Sequence, residues 1–438
     1  MGENIEAIYG PLAKNWRMVR LKDLVENGTA ELQTGPFGTM LHASAYQPKG
    51  TPVIAVQHIG ENSLRQGEYP LVDDDDTARL SRYKVRENDI LFGRKGAVDR
   101  RALIRSHESG WLQGSDCIRL RFNETIDARY ISYVLGTSAY KQWIVRHAHG
   151  ATMPSLNQEI LGLIPLPLPP LPEQKRIAHI LGTLDDKIEL NQRMNATLEA
   201  MARVLFKSWF VDFDPVRAKI DGRKPEGMDA ETAALFPSEF QESPLGPIPK
   251  GWKVQSLDKI AHYLNGLALQ KFPANNDLTL PVIKIAQLRK GDAAGADRCS
   301  ANIPSEYIVN DGDVLFSWSG SLEVGLWCGG RGALNQHLFK VTSTVFQKWF
   351  YYLWTLHHLD EFRLIAADKA TTMGHIQRKH LTNALTLIPS PRLLHRMTIT
   401  MQPLIETIIA SRLQSRTLAT LRDTLLPKLL SGELGAAS

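Results

Sequence analysis

The chain has 438 residues, 43% of them hydrophobic and 22% charged, and a formal net charge of +5. These values exclude a wholly disordered or fibrous chain, exceed what one hydrophobic core supports, and permit a polyanionic partner without requiring one. No apolar run reaches the roughly 18 residues that a membrane helix needs. The N-terminus lacks a secretory pattern, and Glu6 stands where a myristoylation signal has Ser or Thr. Cys117, Cys299 and Cys328 lack metal-ligand spacing. A cytoplasmic protein with reduced thiols, no membrane association and no metal is therefore expected.

In chain order, the elements occur twice. The opening stretch Gly10-Pro11-Leu12-Ala13-Lys14-Asn15-Trp16 recurs as Gly246-Pro247-Ile248-Pro249-Lys250-Gly251-Trp252, a shift of 236 positions with four of seven residues identical. The apolar positions Met18, Leu21 and Leu24 return as Val254, Leu257 and Ile260. The β-branched run TPVIAV from Thr51 returns as LPVIKI from Leu280. Tyr83-Lys84-Val85-Arg86-Glu87-Asn88-Asp89-Ile90-Leu91-Phe92 corresponds to Tyr307-Ile308-Val309-Asn310-Asp311-Gly312-Asp313-Val314-Leu315-Phe316, each a turn feeding a short buried strand. Ala151-Thr152-Met153 finds an echo in Thr371-Thr372-Met373, and each half leaves its globular part through prolines, at 165–172 and 389–391. Such self-similarity marks a duplicated module.

Each half then closes with a long helix. Over 172–209, Ile177, Leu181, Leu184, Ile188, Leu198 and Leu205 fall at alternating four-and-three spacing through Asn191, Asn195 and Ala202, which is a coiled-coil seam. Over 392–430, Met397, Met401, Leu404, Ile408, Leu418, Leu425 and Leu429 repeat it, interrupted by Ser411 and Ser415. Pro427 should kink or end this second helix. A stripe of this kind serves equally as the core face of one domain, but two matched helices favour a paired rod. Antiparallel pairing brings Asn191, Asn195, Ser411 and Ser415 into one polar layer that fixes register. The intervening 213–245, rich in Pro, Gly and charge, reads as a connector.

The expected fold is α/β (α+β): two globular modules separated by two long antiparallel helices in a pseudo-twofold internal repeat. A helix of this length spans about 50 Å, comparable with one and a half turns of B-DNA at about 34 Å per turn. Such a frame holds two readers over two half-sites. Because the modules diverge between the anchor segments, the target is expected to be bipartite and asymmetric.

Leu168-Pro169-Pro170-Leu171-Pro172-Glu173-Gln174-Lys175, then Leu184-Asp185-Asp186-Lys187-Ile188-Glu189-Leu190-Asn191, then Leu205-Phe206-Lys207-Ser208-Trp209-Phe210-Val211-Asp212-Phe213-Asp214-Pro215, resembles the central conserved region of type I restriction-modification specificity subunits. Leu425-Leu426-Pro427-Lys428-Leu429-Leu430-Ser431-Gly432 resembles its C-terminal counterpart, although the second proline-rich exit, IPSPRLLHR, lacks the LPEQ of the first. The resemblance implies a target-recognition domain over 1–165, a conserved helix over 166–212, a linker over 213–245, a second target-recognition domain over 246–390 and a second conserved helix over 391–438. It implies double-stranded DNA, two methyltransferase subunits and restriction (translocase) subunits as partners. S-adenosylmethionine, ATP and magnesium then belong to those partners and no cofactor to this chain. Lys187, Asn191, Arg193, Phe206, Trp209 and Phe210 become candidate partner contacts on the same basis; alternatively, Trp209 and Phe210 pack against the helix base.

For DNA contact, the first module offers Arg94, Lys95, Arg100 and Arg101 around Gly93 and Gly96, a hairpin tip with fork-shaped cations suited to phosphate and guanine. Arg146, Thr152, Ser155, Asn157 and Gln158 form a second candidate stretch. In the second module Ser317, Trp318 and Ser319 replace the basic hairpin, and Asn335, Gln336, His337, Lys369, Thr371, Thr372, Arg378 and Lys379 supply amide, hydroxyl and cationic groups. The competing assignments are a solvated loop for the hairpin and strand-end satisfaction for the buried amides. The chain is not expected to be an enzyme: its one Pro-Pro pair sits in Leu168-Pro169-Pro170-Leu171 rather than in an adenine methyltransferase loop, Glu173-Gln174-Lys175 lacks a nearby upstream Asp for a nuclease, and no Walker loop is present. A stand-alone bipartite DNA-binding regulator is the alternative, distinguished by whether a methyltransferase co-purifies.

Overall fold

The prolines that close each globular part also open each long helix, because a proline in the first turn removes only an amide that would be unpaired there. In the computed structural model, which describes residues 15–37, 40–65, 67–150, 154–274, 278–368 and 374–434, the central helix is Leu171–Phe210 and the terminal helix Pro391–Leu430, 40 residues each. The terminal helix runs past Pro427 rather than ending there, since Leu429 and Leu430 are buried in an apolar core and offset the lost hydrogen bond.

The chain divides into two units, Met1–Asp186 with Leu418–Ser438, and Lys187–Thr417. Both borders cross the long helices, so each unit owns part of each helix. The sequence-drawn borders at 165, 212 and 390 instead follow the prolines.

Unit 1 contains β1 (Arg17–Arg20), β2 (Ala30–Thr34), β3 (Thr51–Ile54), β4 (Leu71–Val72), β5 (Ile90–Gly93), β6 (Arg101–Leu103), β7 (Leu112–Gln113), β8 (Cys117–Phe122) and β9 (Pro165–Leu168). They form an antiparallel sheet in the order β2-β8-β5-β6, a mixed sheet β4-β3-β7 and the pair β1-β9. Leu21, Ile90, Phe92, Leu120, Tyr130 and Trp143 share one core with Ile177 and Leu181 of the central helix and Leu429 of the terminal helix.

Unit 2 contains β10 (Phe240–Gln241), β11 (Ile248–Pro249), β12 (Lys253–Ser256), β13 (His262–Asn265), β14 (Thr279–Ile283), β15 (Arg298–Ser300), β16 (Ile308–Val309), β17 (Val314–Ser317), β18 (Val324–Leu326), β19 (Gly332–Leu334), β20 (Leu338–Thr342) and β21 (Leu385–Ile388). Its sheets are β13-β20-β17-β18, β15-β14-β19-β16 and β12-β21, the plan of unit 1 repeated. Even register repeats: Arg17 faces Leu168 as Lys253 faces Ile388, and Phe92 faces Ile118 as Phe316 faces Phe339. Gly35 and Gly266 occupy matching places at the ends of β2 and β13, where an added Cβ would lie 1.9 Å from the Gly114 carbonyl oxygen and 2.2 Å from that of Asn335. No side chain fits either approach.

The stretch expected as a connector is folded instead. Helices Asp214–Ile220 and Ala230–Leu235 and the β10–β11 pair lie within it or at its end, and Phe213, Val216 and Phe236 are buried in the unit 2 core. Phe213 and Phe236 lie 6.2 and 6.4 Å from Trp252, so scattered aromatics without helical or strand period anchor it.

A buried ion pair also belongs to the repeated plan. Asp89, 1% exposed, accepts two hydrogen bonds from Arg121 at 2.7 and 2.6 Å and lies 3.9 Å from Arg119. Asp313 is paired with Lys340 at 3.1 Å, and Lys340 reaches the Ile308 carbonyl as Arg119 reaches that of Lys84.

The helices pair antiparallel within each unit. In unit 2, Glu199 meets Arg412 at 2.6 Å while Asn191 meets Ser415 at 3.2 Å; in unit 1, Asp185 meets Arg422 at 2.7 Å. The polar layer therefore forms, with differences. Asn191 Nδ2 donates to Ser415 Oγ, to the Ser411 carbonyl at 3.4 Å and to Gln414 Oε1 at 2.9 Å, a partner the seam pattern did not indicate. Asn195 is buried but has no hydrogen bond to the layer among the described residues. One turn away, Ile405 rather than Leu404 is the fully buried residue.

Candidate nucleic-acid interface

In unit 1, β5 delivers Arg94 and Lys95 into a tip that turns at Gly96, whose φ of +76° favours glycine. The tip is laced by backbone bonds to the stretch before the helix Gln158–Gly162: Lys95 bridges Ser155, Gly96 N–H donates to the Pro154 carbonyl at 2.9 Å, and Leu156 N–H donates to that of Arg94 at 2.8 Å. Two candidate stretches 60 residues apart in sequence thus become one surface. Lys95 is exposed and 3.7 Å from Asp116; Arg94 and Arg100 are half-buried, and Arg146 is exposed on the helix Ser138–His147. Asn157 is the N-cap that accepts from Ile160 N–H at 2.7 Å, Gln158 donates to Thr34 Oγ1 at 2.9 Å, and Ser155 Oγ donates to the His149 carbonyl at 3.2 Å. Next to Asp116, burial pushes the Cys117 thiol up to about 12, with the Asp116 charge adding to the rise, so it stays protonated near neutrality.

Unit 2 repeats this lacing with other side chains. β17 delivers Trp318 and Ser319 to a tip turning at Gly320, φ +66°, where Ser319 bridges His375, Gly320 N–H donates to the Gly374 carbonyl at 2.9 Å and Ile376 N–H donates to that of Trp318 at 2.9 Å. Trp318 Nε1 donates to Asn265 Oδ1 at 2.8 Å and the Gln336 carbonyl at 3.1 Å, and Ser319 Oγ is 2.9 Å from His337 Nδ1. Gln336 and His337 are half-buried, whereas Arg378 and Lys379 are exposed. Arg378 also lies over the Phe339 ring at 5.8 Å.

Several expectations are corrected. Arg101 is 4% exposed, inside unit 1, and is removed from any groove-facing surface. Ser317, Ser319 and Asn335 are buried; Ser317 Oγ donates to the Ser321 carbonyl and accepts from Glu323 N–H, both at 2.7 Å. Phe206, Trp209 and Phe210 are buried in unit 2, with Phe210 5.5 Å from Trp354 and 5.8 Å from Phe350, so they hold the helix base rather than face a partner. Asn191 is buried in the seam, while Lys187 and Arg193 remain exposed, Arg193 paired with Glu189 one turn before it. Thr152, Lys369, Thr371 and Thr372 lie outside the described residues. Phe37, 71% exposed and two residues beyond Gly35, was not singled out in the sequence; the Gly-Pro before it is the only signal it carries.

Among the described residues, no three His, Cys, Asp or Glu side chains gather as a metal group, and no helix is long and apolar enough to cross a membrane. What is gathered, twice, is a backbone-fixed tip with different side chains in the two units. Residues 13–200 match the family model for the type I restriction modification DNA specificity domain. The chain is 27% identical over 316 residues to the MjaIX type I restriction enzyme specificity subunit of Methanocaldococcus jannaschii, covering 70% of this chain and 69% of that one. It is 25% identical over 346 residues to the HindI type I restriction enzyme specificity subunit of Haemophilus influenzae, covering 68% and 75%. Its fold is similar to that of the type I restriction-modification S subunit from M. genitalium, with a TM-score of 0.55 at 14% identity over 95% of this chain and 96% of that one. Residues 13–200 are thus similar to the type I restriction modification DNA specificity domain, and about two thirds of the chain is similar to type I restriction enzyme specificity subunits.

Proposed function

We propose that this chain reads a bipartite, asymmetric double-stranded DNA target, one part with each unit, and docks two methyltransferase subunits and the restriction subunits that perform the chemistry. It contributes no catalytic group and holds no cofactor of its own; S-adenosylmethionine, ATP and magnesium belong to the partners. The observation that carries this reading is the divergence of side chains on a repeated backbone: Arg94 and Lys95 in unit 1 stand where Trp318 and Ser319 stand in unit 2, on identically bonded tips. Equal backbones with unequal side chains suit two different half-sites. Lys95, Arg94 and Arg146 supply phosphate contacts in the first, and Gln158 an amide for a base edge. Arg378 and Lys379 supply the cations of the second, with Gln336 and His337 beside them.

The test is affinity and methylation-site mapping of the chain co-purified with its methyltransferase. Replacing Arg94→Ala and Lys95→Ala together removes two phosphate contacts, which should flatten the log–log salt slope by about 1.8 and relax or abolish one half-site while leaving the other. Unchanged affinity, slope and methylated sequence would remove the tip from the interface. Recovery of an active, site-specific chain without any methyltransferase would overturn the docking role.

A further inference from the structure

Strand direction decides which segments leave the sheet of unit 1 together. β2 and β5 both run antiparallel to β8, which lies between them, so both strands finish at the same end of the sheet. There β5 exits into Arg94 and Lys95, and β2 exits into Gly35-Pro36-Phe37. Successive carbonyls at the start of β8 hold the two exits: Asp116 accepts from Arg94 N–H at 2.8 Å, and Cys117 from Gly35 N–H at 2.9 Å. Gln158 joins the β2 exit through its bond to Thr34. A cationic tip and a phenyl ring therefore share one end of the sheet.

The ring is 71% exposed, although the backbone on either side of it is anchored. Before it, Gly35 and Pro36 are buried, and Gly35 lies against the main chain of Gly114. After it, the Phe37 carbonyl accepts from Met40 N–H at 2.8 Å, the Met40 carbonyl accepts from Arg79 Nη2 at 2.8 Å, and Leu41 is buried in the core beneath β3, β4 and β7. These anchors hold the ring out in water, where it forgoes the apolar burial that a phenylalanine ordinarily gains.

The repeat shows that the scaffold does not need this ring. Ile118 of β8 and Phe339 of β20 are equivalent, as are their partners Thr34 and Asn265, which places Ala268 at the position of Phe37. The ring at this end of unit 2, Trp318, comes from the other exit and is half-buried, its Nε1 held by Asn265 and the Gln336 carbonyl. The groups that share the sheet end with Phe37 point to its ligand. Arg94, Lys95, Thr34 and Gln158 are cations and hydrogen-bonding groups, whereas an aromatic anchor for a protein partner sits at the centre of an apolar patch. A ring among cations suits a stack of bases flanked by phosphates.

We propose that Phe37 enters the base stack of duplex DNA in the half-site read by unit 1, parting one base step and kinking the duplex while Arg94 and Lys95 hold its phosphates. This rests on the DNA reading proposed above and adds to it the contact that deforms the target. An apolar wedge reads deformability rather than base edges, so this half-site carries a readily unstacked pyrimidine–purine step beneath the ring. Unit 2, with Ala268 at the same position, makes no such insertion there.

The test uses the full chain co-purified with its methyltransferase and duplexes carrying the mapped target, labelled at both ends for energy transfer. 2-Aminopurine replaces, in turn, each purine other than the methylated adenine in the half-site that the Arg94→Ala, Lys95→Ala variant alters. The wild-type chain should brighten the probe at one step and draw the duplex ends together. Phe37→Ala should lose the fluorescence, reduce the bend and bind on the order of 10-fold more weakly, with the salt slope and the melting temperature of the wild type. Phe37→Leu, still an apolar wedge, should keep most of the bend and affinity. Unchanged affinity, bend and fluorescence in Phe37→Ala, beside a tip variant that does lose its half-site, would overturn the wedge and leave the DNA reading standing. A wild-type complex with no half-site for unit 1 would remove both. Loss of the methyltransferase from Phe37→Ala on purification would overturn the proposal by assigning the ring to a protein contact.

Discussion

Asn195→Leu should stabilise unit 2, whereas Asn191→Leu should leave its stability nearly unchanged, although both replace a buried amide in the same helix. Asn195 is 7% exposed and its Oδ1 has no hydrogen-bond partner among the described residues. A buried, unsatisfied amide costs about 1–3 kcal/mol, and leucine branches at the same carbon and returns apolar burial at that position. Allowing about 1 kcal/mol for imperfect packing, a net gain of about 1–3 kcal/mol remains. Asn191 differs because its Nδ2 bonds Gln414 Oε1 at 2.9 Å and Ser415 Oγ at 3.2 Å while its own Oδ1 is unpaired. The two Nδ2 hydrogens serve these acceptors and, at 3.4 Å, the Ser411 carbonyl; losing about 1 kcal/mol for each hydrogen and relieving one unpaired oxygen nearly cancel. Ser415 keeps its bond to the Ser411 carbonyl at 2.9 Å, and the exposed Gln414 returns to water.

The two leucine variants should therefore differ by about 2 kcal/mol, or roughly 4–8 °C in melting temperature for a unit of this size. Urea unfolding followed by ellipticity measures the difference, and hydrogen exchange across residues 188–200 localises it to the seam. Should Asn195→Leu prove as destabilising as, or more destabilising than, Asn191→Leu, the layer acts as one satisfied network and the reasoning fails. Retention of register in Asn195→Leu but not in Asn191→Leu would assign alignment of the helices to Asn191.

The repeated ion pair should show its asymmetry under substitution. Asp89→Asn leaves Arg119, 2% exposed, and Arg121 without their shared carboxylate and should cost about 3–5 kcal/mol. Asp313→Asn, whose carboxylate is 22% exposed against 1% for Asp89, should cost less than half as much in the same urea titration; equal costs would refute the burial argument. A second expectation concerns acid. His58 is 5% exposed, its Nδ1 accepts from Ala55 N–H at 2.9 Å, and burial lowers its pKa below the ordinary 6.5. The unfolded chain then binds the proton first as pH falls, so this contribution to unit 1 stability is full above pH about 6.5 and declines progressively below it. Replacing His58→Gln should flatten the melting temperature between pH 7 and pH 5, and an unchanged slope would place the acid sensitivity elsewhere.

The duplication, both long helices and the polar layer were legible because each leaves a period or an offset in the sequence. The anchor Trp16/Trp252 and the Asp89/Asp313 alignment carry across. Side-chain fates were less legible. The partners Arg119 and Lys340 lie at a different offset from their aspartates, since the intervening loops differ in length, so the shared ion pair appears only once strands are in register. Phe213 and Phe236 carry no periodic signal, and the Pro-Gly-charge composition around them masks a packed segment. Arg101 and Phe206 illustrate the same limit: residue type near a basic run or conserved-looking motif predicts surface chemistry, while the facing strand or helix decides burial.

The bonding of the two tips separates what is fixed from what can vary. Every contact that the tips share is made by backbone: Arg94 N–H and Trp318 N–H donate to the Asp116 and His337 carbonyls at 2.8 and 3.3 Å, and Gly96 and Gly320 donate in matching fashion. The close approaches at Gly35 and Gly266 likewise involve main-chain atoms alone. No side chain at 94, 95, 318 or 319 is required for the tip to hold its shape, although Trp318 and Ser319 have since acquired bonds of their own. A scaffold held by main chain tolerates exchange of its reading side chains at little cost in fold stability. A copied module can therefore change the side chains on its tip while the sheet register stays the same.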